Sequence, residues 1–286
     1  MSNLDLVTST AAGQLDPHWR AALRSDALES FTGGEMPTQT EEIWRYVDLD
    51  FDLKDFSAAA GGEGELGDDP LRESFADPII FSVVGNTVAG DDRIVDGFTA
   101  MSLRRAAAER PDAVRRVIER ADVSVDGDVF AAAAGAFGGE GVYIHAEPSV
   151  VTPSVVSIDL QPGANGTVSF PSIVIEAEEH ADVSVIVHLR SHDGSNALVI
   201  PQFSTVVGSG ARVSLSLVQN LGYEARSIAY LRTEVGADAR FLFGEIGLGG
   251  KLARLHLDVG LEGRGSSANV VGAYFGEQEQ VLDYRY

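Results

Sequence analysis

The sequence predicts a mainly β protein, in which a β-solenoid follows a small α/β N-terminal domain. Residues 1–140 mix helical and strand patterns, whereas residues 141–286 alternate apolar and polar side chains almost throughout, as half-buried strands do. Turn pairs that contain glycine recur at Gly210, Gly236 and Gly265, which are 26 and 29 residues apart. A strand–turn–strand unit that repeats without an intervening helix favours stacked coils. An antiparallel sandwich stays open as the alternative.

The N-terminal domain (residues 1–140) begins with a predicted helix. Apolar residues recur every four positions from Trp19 to Phe31, behind a cap at Asp16-Pro17 and before a stop at Gly33-Gly34. The same signals predict the other elements of this domain: a short helix at 41–46, a loop at 61–70, a strand at 78–84 before the turn Gly85-Asn86, helices at 101–109 and 111–120, and a helix from Phe130 to Gly138-Gly139.

The second domain (residues 141–286) carries the solenoid pattern. Apolar residues alternate with largely polar ones over 182–189, 212–217, 240–243 and 254–259. Small residues at the predicted corners allow the backbone to turn sharply between these strands. They are Gly163-Ala164, Gly210-Ala211, Gly236-Ala237 and Gly265-Ser266.

Composition excludes several classes of site. The 286 residues contain no cysteine, which excludes zinc–thiolate sites, iron–sulfur clusters held by the chain's own thiolates, disulfides and cysteine nucleophiles. The chain has 43 Asp and Glu against 21 Lys and Arg, a formal net charge of -22. This charge opposes binding to nucleic acid or to an anionic membrane.

The basic residues point to a salt-adapted surface. Only Lys54 and Lys251 are lysines, and abundant carboxylates with few lysines are typical of proteins in which salt screens self-repulsion.

Residues 1–5 lack a basic segment and an apolar core, so we expect no signal peptide. No apolar run approaches the ~18 residues of a membrane span. We therefore expect a soluble, cytoplasmic protein.

Two loop motifs fail as ligand sites. Residues 244–252 resemble a phosphate loop, but Glu245 and Leu252 occupy the positions that require glycine and Ser or Thr, so we predict a tight turn. Residues 122–128 resemble the start of a calcium loop, but the twelfth position is Ala133 instead of glutamate. We predict that the aspartates of this segment cap the next helix.

One histidine cluster resembles a metal site. Imidazole and carboxylate ligands suit zinc or iron, but the spacing matches no ligand signature. We therefore interpret these side chains as solvated groups beside turns and predict no metal, cofactor-binding or catalytic residue in the chain. The cluster comprises His180, His188 and His192 with Glu178, Glu179 and Asp193.

The sequence offers little support for an enzyme. Neither a Gly-x-Ser-x-Gly elbow nor a His-Glu-x-x-His motif is present. Acidic residues are so numerous that no carboxylate dyad stands out. A β-solenoid carbohydrate-active enzyme, a lyase or hydrolase, stays the alternative function; it requires clustered carboxylates in an open groove with aromatic platforms. A structural solenoid without a ligand is a third hypothesis.

Several segments, taken together in order, resemble those of one protein family. The first is the segment 37–49, which contains Trp44, Tyr46 and Asp48. The others are Asp128-Val129-Phe130 with Glu140-Gly141-Val142-Tyr143-Ile144, Gly249-Gly250-Lys251-Leu252-Ala253-Arg254, Leu261-Glu262-Gly263, Gly272-Ala273-Tyr274 and Gln280-Val281-Leu282-Asp283. This set resembles the SufB/SufD family of scaffold proteins in the SUF system of iron–sulfur cluster assembly, and its SufD members in particular.

The resemblance implies a right-handed parallel β-helix and a complex with a SufB-like partner and the SufC-like ATPase. It also implies that the cluster is assembled on the complex, that this chain alone binds no cofactor and that it is not itself an enzyme. The lack of cysteine agrees with SufD, because SufB is the member credited with the essential cysteine. Family members continue past the segment ending at Asp283, so we expect a C-terminally truncated chain, without the family's Ser-His-Gly segment and SufC-docking helices.

Overall fold

A computed structural model describes residues 18–59, 66–123, 128–138, 140–277 and 279–286. The fold is mainly β, with 43% strand and 21% helix, and a β-solenoid of about five turns forms the C-terminal part. This confirms the predicted fold class. The predicted cap at Asp16-Pro17 and residues 61–65 of the predicted loop at 61–70 lie outside the described residues.

The α-helices cover one flank of the solenoid and are α1 (His18–Gly33), α2 (Leu103–Glu109), α3 (Pro111–Arg120) and α4 (Val129–Phe137). Short 3-10 helices lie at Glu42–Trp44, Leu53–Asp55 and Pro70–Ser74. Pro111 opens α3 and the Asp128 side chain caps α4, both as predicted. Two predictions were too long. The helix at 41–46 is a single 3-10 turn, and the helix at 101–109 starts at Leu103 because Met101 belongs to a strand.

The strands form two sheets. The first contains β2 (Ile79–Val84), β3 (Thr87–Gly90), β7 (Val156–Gln161), β10 (Asp182–Arg190), β13 (Arg212–Asn220), β15 (Arg240–Gly247) and β17 (Ser267–Tyr274). Its spatial order is β17-β15-β13-β10-β7-β2-β3.

The second sheet contains β1 (Ser57–Ala58), β4 (Arg93–Val95), β5 (Phe98–Ser102), β6 (Gly141–Ala146), β8 (Thr167–Ser169), β9 (Ser172–Ala177), β11 (Leu198–Val199), β12 (Gln202–Val207), β14 (Arg226–Val235), β16 (Leu252–Leu261) and β18 (Val281–Arg285). Its spatial order is β1-β8-β11-β14-β12-β9-β6-β5-β4, and β16 and β18 continue it beyond β14.

Successive coils stack in parallel register. Val183 pairs with Val213, and Val213 pairs with Phe241, so that equivalent apolar residues form columns in the interior. The antiparallel sandwich is therefore wrong for the solenoid. In the described chain, antiparallel pairing occurs where β2 meets β3 and where β5 meets β4 and β6. Because β2 and β5 extend the solenoid's own sheets, the division into domains at residue 140 stays a prediction.

One corner of the solenoid has a left-handed residue in each coil. These residues are Ser149, His180, Gly210, Asp238 and Gly265, with φ between 56° and 76°. The backbone N–H of each of the first four donates to a carbonyl of the next coil. Only two of the five are glycines, so glycine spacing reveals this corner incompletely.

The largest apolar cluster fills the solenoid interior, and two smaller clusters lie beneath the helices. Helices α2 and α3 pack over Tyr143, Val174 and Val206 on the outer face of the second sheet. Among the described residues, none of the helices combines the length and the apolar composition that crossing a bilayer requires.

Candidate functional site

The segment of residues 42–59, here called the strap, lies across the flank of the solenoid. Its Trp44 is completely buried, and the guanidinium carbon of Arg254 lies 3.9 Å from the centre of the indole ring. Arg254 also forms an ion pair with Asp283 on β18. Burial lowers the pKa of Arg254. One buried site therefore joins three residues from three of the segments that carry the family resemblance.

A second contact fastens the strap further along the chain. Asp50 lies 3.1 Å from a guanidinium nitrogen of Arg226 and 2.6 Å from Nζ of Lys251. Partial burial alone raises the pKa of Asp50, but the hydrogen bonds from Lys251 and Arg226 outweigh it and lower the pKa. The Phe51 ring packs with its centre 5.2 Å from the Arg226 guanidinium carbon. One of the chain's two lysines thus holds the strap in place.

Asp128 links helix α4 to the solenoid. One of its oxygens accepts hydrogen bonds from the N–H groups of Phe130 and Ala131, at 3.0 and 2.9 Å. The buried hydroxyl of Tyr230 donates to the same carboxylate at 2.6 Å. Phe130 in turn contacts Trp44, with ring centres 5.4 Å apart. The Asp-x-Phe motif is therefore part of the same packed unit as the strap.

The predicted histidine cluster does not form. His180 occupies the left-handed corner and is exposed, and His192 is exposed on a turn, as the solvated interpretation predicts. That interpretation is wrong for His188. It lies on the outer face of β10 as expected, but its Nδ1 lies 2.7 Å from Oδ1 of Asp69, and both side chains are buried.

The segment of residues 67–75 covers the outer face of the first sheet and thereby buries His188. Arg190 forms two hydrogen bonds with Asp159, at 2.7 and 2.8 Å, and a third with the carbonyl of Gly67 at 2.6 Å. The hydrogen bonds to Asp159 raise the pKa of Arg190 despite its burial. These polar groups attach the covering segment to the solenoid.

The structure tests the two loop predictions, for the phosphate-loop-like and the calcium-loop-like segments, to different extents. Residues 248–251 of the phosphate-loop-like segment form the turn that joins β15 to β16, as predicted. Residues 124–127 of the calcium-like motif lie outside the described residues. Asp128, at the end of that motif, is the helix cap that the sequence predicts.

A cavity of about 300 Å³ lies beside α1, α3 and α4. Its lining includes the polar side chains of Arg20, Asp26 and Gln202. Among the described residues that line this cavity, none is aromatic. The described part of its lining therefore offers no stacking platform of the kind that the carbohydrate-active alternative requires.

Sequence reasoning missed one group of polar residues. Glu178, assigned to the histidine cluster, instead lies beside His145 and Glu176. His145 and Glu176 are 31 positions apart, the same separation as the corner residues Ser149 and His180. No sequence signal marks this separation, because neither Ser149 nor His180 is a glycine and their shared corner is visible only in the structure.

The fold and the strap together define a parallel β-solenoid closed on one flank by its own N-terminal segment. A family model described as "SUF system FeS cluster assembly, SufBD core domain" matches residues 160–286, somewhat under half of the chain. The match supports the resemblance to the SufB/SufD family over most of the solenoid. No curated protein matches the chain.

Proposed function

We propose that this chain is a SufD-like scaffold component of the SUF iron–sulfur cluster assembly complex, without catalytic activity of its own. The observation that carries the proposal is the match of residues 160–286 to the SufBD core domain. The contacts of Trp44 with Arg254, and of Arg254 with Asp283, support it, because residues from three resembling segments meet in one buried site.

The proposed partners are a SufB-like protein and a SufC-like ATPase in the cytoplasm. The chain has no cysteine, so thiolate ligands for a cluster must come from a partner. The cluster is then the cargo of the complex and not a resident cofactor of this chain. The SufD role rests on the Trp44 segment and on the lack of cysteine.

A scaffold role fits the way in which the charged groups of the solenoid are used. Arg190 and Arg254, both buried, hold Asp159 and Asp283 in ion pairs that join distant segments of the chain. Buried ion pairs of this kind favour one arrangement, because separating the partners leaves a buried charge without compensation. Such pairs suit a rigid body that presents its surface to partners.

The test is co-expression of the tagged chain with SufB and SufC from the same cell, followed by affinity purification and size-exclusion chromatography with light scattering. We expect a complex that contains all three proteins, and an iron–sulfur chromophore that appears on reconstitution only when SufB is present. If neither SufB nor SufC co-purifies with the tagged chain after co-expression, the proposal is overturned. A cluster that assembles on this chain alone overturns it as well.

The carbohydrate-active alternative is tested by incubating the purified chain with acidic and neutral polysaccharides and measuring reducing ends and unsaturated products. We expect neither to form. The cavity beside α1 gives this alternative no support, because the described residues of its lining include no aromatic side chain on which a sugar ring stacks. Release of products that scales with protein concentration would favour the alternative.

A further inference from the structure

Three potential metal ligands converge on the outer face of the second sheet, beneath helix α3. His145 on β6 pairs directly with Glu176 on β9, so their side chains leave the same face of adjacent coils. Glu178 follows two positions later. We propose that His145, Glu176 and Glu178 form a binding site for a divalent first-row transition-metal cation.

The distances fit a common ion. Nε2 of His145 lies 2.8 Å from Oε1 of Glu178 and 3.7 Å from Oε2 of Glu176, and the three ligand atoms all lie within 4.8 Å of one another. An ion about 2.1 Å from each atom requires ligand atoms roughly 3–3.5 Å apart. Small rotations of the side chains therefore suffice to bring all three onto one ion.

The ligand set selects the class of cation. One imidazole and two carboxylates suit zinc, iron or manganese in the divalent state, and a three-residue site leaves positions for water. The His145 and Glu176 side chains are each 6% exposed, whereas that of Glu178 is 34% exposed. The site is thus closed on the side of the sheet and open on the side of Glu178, from which an ion can enter.

The charges around the site favour a cation. Arg116 on α3 donates two hydrogen bonds to Glu176, each 2.9 Å long, and so orients this carboxylate. Arg116 offsets the charge of one of the two glutamates, and the second carboxylate, Glu178, lies against the imidazole of His145. A carboxylate that is largely removed from water is stabilised by a nearby positive charge, which a divalent ion supplies.

Tyr143 gives a second, independent indication of a ligand. This residue is completely buried, and within the described part of the chain its hydroxyl has no hydrogen-bond partner. Its ring stacks nearly parallel to that of His145, with centres 6.1 Å apart. A buried hydroxyl without a partner is costly, and a water molecule carried by a bound ion supplies one.

The experiment uses the full 286-residue chain, treated with chelator and carrying no polyhistidine tag. Isothermal titration with Zn²⁺ and absorption titration with Co²⁺ measure affinity and stoichiometry. We expect one site per chain, with affinity reduced at least tenfold by His145→Asn and by Glu178→Gln. The matched controls are His180→Asn and Glu179→Gln, which remove the same residue types at the adjacent exposed corner and should leave affinity unchanged.

Glu178→Gln keeps the test valid if His145→Asn fails to fold, because Glu178 is partly exposed and lies outside the strands. Thermal melts and circular dichroism establish that each variant is folded. Absence of a one-to-one site in the wild-type chain would overturn the proposal. Equal affinity in the wild type and in folded Glu178→Gln would also overturn it, and the cluster would then be an ion pair only.

Discussion

Arg254 lies against the indole ring of Trp44, with its guanidinium carbon 3.9 Å from the ring centre, although the two residues are 210 positions apart. Asp283 contacts the same guanidinium from β18. A cation–π contact gains strength when both groups are removed from water, as they are here. The contact therefore fixes the position of the strap relative to the last strands of the solenoid.

Trp44→Ala should lower the free energy of unfolding by about 3–5 kcal/mol, because it removes a large buried side chain and leaves a cavity beside Arg254. Urea denaturation followed by circular dichroism measures the change. The control is Tyr46→Ala in the same strap, where the side chain is 78% exposed. We expect the control to change stability by no more than about 0.5 kcal/mol. Equal effects of the two substitutions would show that Trp44 has no special role.

Asp283→Asn should lower the free energy of unfolding by about 3 kcal/mol, because it leaves the buried charge of Arg254 without its carboxylate partner. The matched control is Asp258→Asn, which breaks an ion pair with Arg232 at 3.2 Å on a more exposed surface. Such a pair contributes about 0–1 kcal/mol. Denaturant titrations of both variants in the same buffer compare them, and a larger loss in the control would contradict the prediction.

Glu245 should make stability fall as the pH rises. Its side chain faces the solenoid interior on the same side of β15 as Phe243, and only 3% of the residue is exposed. Burial raises the pKa of Glu245 to about 8. Between the unfolded pKa of about 4.3 and this value, the folded state holds a proton that the unfolded state releases. The stabilising contribution of this proton is therefore complete below the unfolded pKa and is lost progressively as the pH rises toward the folded pKa.

Glu245→Gln should reduce this loss, and the pH-dependent difference from the wild type should be on the order of 3 kcal/mol. Denaturant titrations at about pH 5 and about pH 8.5 measure the free energy of unfolding of both proteins. These two pH values span most of the range between the unfolded and the folded pKa of Glu245. Glu179→Gln, at an exposed corner, is the control and should keep the wild-type pH dependence. If the wild type and Glu245→Gln respond identically to pH, the buried carboxyl does not titrate as described.

Added salt should stabilise the protein. The net charge of -22 produces self-repulsion in the folded state, and the screening length falls from about 10 Å at 0.1 M salt to about 3 Å at 1 M. We expect the melting temperature to rise by roughly 5 °C between about 0.1 and 2 M KCl. Sucrose, which acts by exclusion and not by screening, is the comparison. A melting temperature that is unchanged or lower in KCl would argue against salt adaptation.

Local pattern predicted the repetitive elements well. The alternation at 183–189 and at 241–243 identified strands, because side chains alternate between faces regardless of what packs on them. Pro111 marked a helix start because proline fits the first turn. These signals depend only on residues that are neighbours in the sequence.

Contacts between distant segments could not be predicted in this way. His188 has the position of a surface residue in its strand, and it is buried only because Asp69, 119 positions earlier, packs against it. The pairing of His145 with Glu176 depends on the register between coils, which no local pattern specifies. The corner residue Asp238 adopts a left-handed conformation that glycine spacing alone does not reveal.

The strap has a consequence for how the molecule unfolds. In a solenoid each coil contacts only its neighbours, so coils at the two ends can open independently. Trp44 contacts Arg254 on β16, and Asp50 contacts Arg226 on β14 and Lys251 just before β16. These contacts join an early segment of the chain directly to late coils of the solenoid. Opening the late coils then requires release of the strap as well. Unfolding should accordingly approach a single cooperative transition instead of progressive fraying.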